Sequence, residues 1–276
     1  MTASVILDAP AVPAATRAQA GPVATALAVA RRTVLKFVRT PQLIVVGTLQ
    51  GAMFLLIFRY VFGGAIHTGP LPYVDFLVPG FVVTSVLFAG TSASAGVAED
   101  VEQGLFDRLR SLPVPRTALL GGRALADTGV LAWSLAVTIA IGFAVGFRVH
   151  AGVGAGLAGY GLCVVYGFAF TWLFICIGLF AGNAQAAQGM SLLVFPLTFV
   201  SSAYVPVSSM PGWMQPIAEN QPITVMVDAV RCVVLGSPRL AGLPQSTAHY
   251  VVLSLIWSAA LVAAFVPIAV VRYRRG

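Results

Sequence analysis

A chain of 276 residues that is 58% hydrophobic and only 9% charged, with a mean hydropathy of +0.91, falls far short of the roughly one-quarter charged share of a soluble domain. Lipid must therefore be the solvent for most of it, and the net charge of +7 does not mark a nucleic-acid binder, because no basic stripe lies on a soluble segment. The three cysteines, Cys163, Cys176 and Cys232, cannot all pair, so neither a disulfide framework nor a metal site is expected.

The first 23 residues carry no Lys or Arg before Arg17 and no long apolar run, which argues against a cleaved signal peptide and for a mobile cytoplasmic tail. Residues 24–276 are expected to form one membrane domain. Projected at about 100° per residue, Val23, Leu27, Ala30, Val34, Phe37 and Val38 share one arc, with Arg32, Lys36 and Arg39 opposite. The expectation is an interfacial helix whose apolar side enters the acyl boundary while Arg31, Arg32, Lys36 and Arg39 meet anionic head groups. A plain basic flank is the competing reading. Pro41 then turns the chain into the membrane.

Crossing a hydrocarbon core takes about 20 apolar residues. Six stretches qualify: Leu43–Phe62, Phe76–Gly96, Leu125–Phe147, Leu157–Ala181, Gly189–Val207 and Tyr250–Val271. The predicted fold class is all-α, a polytopic membrane protein with six transmembrane helices. Twelve of the 16 basic residues lie before the first stretch, between the second and third, or after the last, which places both termini in the cytoplasm. A single lysine among 15 arginines suggests a GC-rich genome and hence a bacterial plasma membrane. Polar groups within the stretches are few. Gln50, Thr84 and Ser134 are pathway candidates, Gln50 foremost, since membrane hydroxyls often bond their own backbone. Asp127, four residues after Arg123, reads as its partner. The spacing of Gly152 with Gly156 and of Gly178 with Gly182 predicts close helix crossings, and Pro79, Pro196 and Pro267 predict kinks.

Between the second and third stretches, Glu99–Arg123 is too polar to span. Val101, Leu105, Leu109 and Leu112 share a helical face, Glu99, Asp100 and Glu102 gather at its start, Arg108 and Arg110 at its end, and Pro113 and Pro115 stop it. This predicts a short cytoplasmic amphipathic helix whose apolar ridge a partner protein could grip; a helix lying on lipid is the alternative. Between the fifth and sixth stretches, Pro206–His249 holds the run Ile223–Leu235, too short to cross. It predicts short re-entrant helices, with Asp228 and Arg231 placed for an i,i+3 pair and Trp213 as an interfacial anchor.

Glu102-x-Gly104-Leu105-x-x-Arg108-Leu109-Arg110-Ser111-Leu112-Pro113-Val114-Pro115-Arg116, followed by Leu119-Leu120-Gly121, resembles the cytoplasmic loop of type-2 ABC exporter permeases, particularly the daunorubicin-resistance type. A second similarity runs from Phe195-Pro196-Leu197-Thr198-Phe199 through Tyr204-Val205-Pro206 and Met210-Pro211-Gly212-Trp213 to Pro222-Ile223-Thr224 and Asp228-x-x-Arg231; Gln221 stands where that family often has Asn. The resemblance implies a permease half that pairs with a second permease subunit, identical or homologous. It also implies an ATPase subunit, two per complex, docked on Glu102, Leu105, Arg108, Leu109, Leu112 and Arg116, and outer re-entrant helices with Pro222, Asp228 and Arg231 as gate candidates. ATP and magnesium would bind the partner, leaving this chain without a cofactor and not itself an enzyme. The residues support that division of labour. A P-loop needs Gly-Lys-Ser/Thr, and the single lysine, Lys36, follows Leu35. Ion coupling usually leaves carboxylates or histidines within spans, and here there are almost none. The expected cargo is an amphipathic or hydrophobic drug, lipid or glycolipid moved outward. A polysaccharide-type exporter permease is an alternative, as is a membrane-embedded lipid-modifying enzyme, although His67, His150 and His249 lie apart in outer connections.

Overall fold

The computed structural model describes residues 22–66, 68, 71–105, 116–238 and 242–275. Among them the regular elements are helical: α1 (Pro22–Val38), α2 (Pro41–Leu56), running on into a π-helical segment (Ile57–Phe62), α3 (Tyr73–Glu102), α4 (Arg116–Ala144), α5 (Val153–Ala181), α6 (Ala184–Leu192), α7 (Phe195–Phe199), α8 (Gln215–Asn220), α9 (Pro222–Leu235) and α10 (Thr247–Arg275). A 3₁₀ turn spans Val207–Ser209.

Four helices are apolar and long enough to cross a membrane, Tyr73–Glu102, Leu119–Ala144, Val153–Ala181 and Thr247–Tyr273. They contain most of the second, third, fourth and sixth predicted stretches. At 1.5 Å per residue each exceeds the hydrocarbon thickness of about 30 Å. The first predicted stretch is helical throughout, but its α-helix gives way to a π-helix at Ile57. The fifth, Gly189–Val207, is not one helix: α6 ends at Leu192, α7 is five residues long, and the chain then turns. Two local features act against a continuous helix there. Pro196 lacks an N–H and opens α7 rather than kinking a longer helix. The hydroxyls of Thr198 and Ser201 bond the carbonyls of Phe195 and Thr198 at 2.7 and 2.5 Å, competing with helical bonding.

The core forms around α3, which is apolar on all sides and buried from Tyr73 through Thr84 almost without interruption. Its middle packs on α5, α6 and α9, with Leu77, Phe81, Leu87, Phe174, Met226 and Val230 in one cluster. A second cluster, including Val97, Leu120, Ile175, Leu179 and Tyr273, closes the end where α3 stops and α4 begins. At Gly178 a Cβ would lie 2.5 Å from the Ser94 carbonyl oxygen, so α3 and α5 cross at glycine contact. Gly152 and Gly182, predicted to share that role, are instead the caps of α5, with φ of +87° and +79°. α10 presents Val252, Leu255, Ile256, Ile268 and Val271 outward, a lipid-facing side for a helix of this length. The three cysteines are free and buried.

Candidate functional site

The end of α3 departs from the sequence expectation. Glu99, Asp100 and Glu102, predicted to open a separate coupling helix, form the last turn of α3. A turn follows, with Gly104 at φ +65°, and then the half-buried Leu105. Arg108, Leu109 and Leu112 lie outside the described residues, and Arg116 is the first residue of α4. Carboxylates at a helix C-terminus oppose the helix dipole, so a buried one there needs cations. Asp100, 5% exposed, has two among the described residues. Its Oδ2 accepts from Arg123 Nη1 at 2.6 Å and its Oδ1 from Arg32 Nη2 at 3.1 Å. The buried Arg123 also donates Nε to Asp127 Oδ2 at 2.7 Å, the pairing anticipated from their spacing, and Nη2 to the Ala93 carbonyl at 3.4 Å.

Arg32 also has a partner that the sequence did not suggest, while its side chain stays half exposed. Its guanidinium turns to α3, because the buried carboxylate of Asp100 offers a charge-assisted bond there. Arg31 on α1 and Arg39 just after it are exposed, beside the exposed apolar Leu27, Val34, Leu35 and Val38. Arg31, Arg32 and Arg39 line a shallow groove with Ala28 and Leu35. The Lys36 side chain lies outside the described residues.

A second charged site forms around α9. Pro222 takes the first helical position, where a missing N–H costs nothing. Arg231 is 1% exposed, and both of its terminal nitrogens are engaged while its buried Nε has no hydrogen-bond partner among the described residues. Nη1 meets Asp228 Oδ1 at 3.0 Å, Nη2 donates to the carbonyls of Phe76 and Ser202 at 3.0 and 2.9 Å, and the guanidinium stacks on the Phe76 ring 3.8 Å from its centroid. Asp228 also accepts the Ser202 hydroxyl at 2.8 Å, while Thr224 Oγ1 accepts the Ser202 N–H at 3.2 Å. Burial pushes the Asp228 carboxyl up and the Arg231 guanidinium down from their ordinary values, and their mutual contact opposes both shifts. The i,i+3 pair read from the sequence is thus a knot joining α9, the start of α3 and the chain after α7. Gln221, in the place where Asn is frequent, donates to the carbonyls of Leu197 and Val200 at 3.1 and 2.8 Å and so caps α7.

The three pathway candidates do not converge. Thr84 is buried, its hydroxyl shared between the Phe81 carbonyl and the Tyr204 hydroxyl at 3.1 and 2.9 Å, so it closes a core contact and lines no open path. Ser134 bonds back to the Val130 carbonyl at 3.2 Å within its own helix. Gln50 is exposed on α2 and has no hydrogen-bond partner among the described residues. Two features escaped the sequence reading. Asp75 in the first turn of α3 accepts the Arg148 N–H at 3.3 Å and lies 3.6 Å from His150 Nε2. A seam of ring contacts also runs Phe195–Phe88–Phe54–Phe58–Tyr204–Phe199, with centroids 4.4 to 6.1 Å apart, tying α2, α3 and α7. Sequence spacing alone cannot reveal a seam drawn from four segments.

A model of the ABC-2 type transporter family matches residues 25–235. A daunorubicin resistance ABC transporter permease protein of Streptomyces coeruleorubidus is 33% identical over 246 residues, covering 88% of this chain and 83% of its own. A probable doxorubicin resistance ABC transporter permease protein of Mycobacterium tuberculosis is 27% identical over 200 residues, covering 72% of this chain and 69% of its own.

Proposed function

Because this chain belongs to the ABC-2 type transporter family, and is a multi-pass permease of the bacterial plasma membrane rather than an enzyme, we propose that it works as the membrane subunit of an ATP-driven exporter. The carrying observation is the 33% identity that runs along 88% of the chain with a daunorubicin resistance permease. ATP and magnesium bind a separate ATPase subunit, two per complex, and this chain supplies no cofactor. Its sequence contains no Gly-Lys-Ser/Thr, which is consistent with that division. The contact surface is the segment after α3 and at the start of α4, through Glu102, Leu105, Arg108, Leu109, Leu112 and Arg116.

In this reading the α2–π stretch is the first of six spans and α6–α7 with the turns that follow make the fifth. Both termini are cytoplasmic, and α8 and α9 lie on the outer side, where Pro222 and the Asp228–Arg231 knot hold the closed gate. A second permease subunit, identical or homologous, completes the path. The cargo is amphipathic or hydrophobic: the face of α2 and α7 exposes Leu49, Gln50, Met53, Leu197 and Phe199, mostly apolar with one amide. Daunorubicin, named for the relative, is the first cargo to test. Co-expression with its ATPase subunit should give a stable complex that hydrolyses ATP, while the chain purified alone should not; ATP turnover by the isolated chain would sink the proposal.

A further inference from the structure

We propose that the basic groove on α1 is a binding site for one anionic phospholipid of the leaflet on which that helix lies, its phosphate held by Arg31, Arg32 and Arg39 and its acyl chain laid along Leu27, Val34 and Val38. The inference needs only a membrane permease and does not rest on ATP-driven export. Helical geometry divides α1 into three strips. Ala26, Ala30, Thr33 and Phe37 share one side and are partly buried; this side packs on α4, where a Cβ at Gly122 would lie 2.5 Å from the Ala26 carbonyl oxygen. Ala28, Arg31, Arg32 and Leu35 share the opposite side and line the groove. Arg39 joins them because the last turn still closes, from its N–H to the Leu35 carbonyl at 3.0 Å. Between these two sides runs the third strip, the exposed apolar Leu27, Val34 and Val38.

The groove has a volume of about 460 Å³, within the roughly 300–1,000 Å³ of ligand sites. Arg32 gives one nitrogen to Asp100, yet its side chain is 49% exposed. The guanidinium groups of Arg31 and Arg39 have no carboxylate partner among the described residues. Positive charge is therefore in excess, and a guanidinium matches the paired oxygens of a phosphate with two parallel N–H bonds. A free anion would answer the arginines alone. The apolar strip beside them calls for an amphiphile, whose phosphodiester and hydrocarbon meet the two strips together. Charge also selects the head group. Phosphatidylcholine carries the same phosphate but adds an ammonium that neighbouring guanidinium groups repel, whereas phosphatidylglycerol keeps its net negative charge.

The test uses the full-length chain in phosphatidylcholine nanodiscs with a photoactivatable phosphatidylglycerol, the labelled residues being located by peptide mass spectrometry. Labelling should concentrate on α1 at Leu27, Val34 and Val38, and a photoactivatable phosphatidylcholine should not reproduce it. Arg31→Gln with Arg39→Gln should weaken the apparent affinity by roughly thirtyfold, the factor for two cations lost at an anionic surface, and Arg31→Lys with Arg39→Lys should restore most of it. Both side chains are exposed, so these variants leave the packing on α4 intact, and Arg32 is spared because it also holds Asp100. No labelling of α1 in the parent chain, labelling that survives the Gln pair, equal labelling by the phosphatidylcholine probe, or displacement by inorganic phosphate would overturn the lipid site. Labelling abolished once the ATPase subunit is bound would assign the groove to a protein partner and overturn it equally. Failure of the exporter reading shows separately, as no ATPase subunit co-purifying at all.

Discussion

Replacing Arg231 by Met tests whether the knot on α9 holds this part of the fold. Methionine approximates the length of the side chain and its packing on Phe76, but removes the donors to Asp228 and to the carbonyls of Phe76 and Ser202. Asp228, 5% exposed, would keep only the Ser202 hydroxyl and become a buried carboxylate without a counter-charge. Breaking one side of a buried pair in this way costs about 3–5 kcal/mol. Removing both charges, as in Asp228→Leu with Arg231→Met, leaves no orphaned ion and should recover about 2 kcal/mol of that loss. Chemical unfolding of the purified protein in nanodiscs, followed by tryptophan fluorescence, measures both. A single variant within about 1 kcal/mol of the parent, or a double variant no better than the single, would refute the reasoning.

Three further outcomes are expected. Gly178→Val forces α3 and α5 apart at the Ser94 carbonyl and should cost at least about 1–3 kcal/mol in the same unfolding assay, with unchanged unfolding counting against the crossing. Cysteines placed at Gly69 and Ser237 should react with an impermeant thiol reagent in intact cells, and one at Thr117 only after lysis; the opposite pattern inverts the proposed topology. Burial of an aliphatic side chain contributes roughly 1.5–3 kcal/mol, so Leu109→Asp should lower the co-purified ATPase subunit by about tenfold or more, and a normal yield would move the docking surface elsewhere.

Much of the architecture was legible because lipid imposes a length rule that apolar runs obey: the stretches containing Phe81, Leu135, Phe170 and Leu261 are all continuous helices. The i,i+3 and i,i+4 pairs were legible for the same local reason, since helical spacing brings Asp228 to Arg231 and Arg123 to Asp127. What failed was inference about where a helix stops. Acids at 99, 100 and 102 fit the start of a helix by the dipole rule, but in the fold they end one, and Asp100 is compensated by Arg123 and by Arg32, the latter 68 residues away in sequence. The same long-range tie gives Arg32 a partner on α3 that its place on α1 did not foreshadow. Thr84 misled for a related reason: a hydroxyl in a span reads as pathway or as backbone bonding, and only the fold brings in Tyr204 as a partner from 120 residues on. The break after Leu192 was signalled weakly, by one proline in a run otherwise as apolar as its neighbours.

The most direct test of the central claim is uptake of daunorubicin into inside-out membrane vesicles containing this chain and its ATPase subunit. The account requires uptake that depends on ATP, persists when the proton gradient is collapsed, and disappears when the P-loop lysine of the ATPase subunit is replaced by alanine. Uptake that survives that replacement, or that follows the proton gradient instead of ATP, would contradict it.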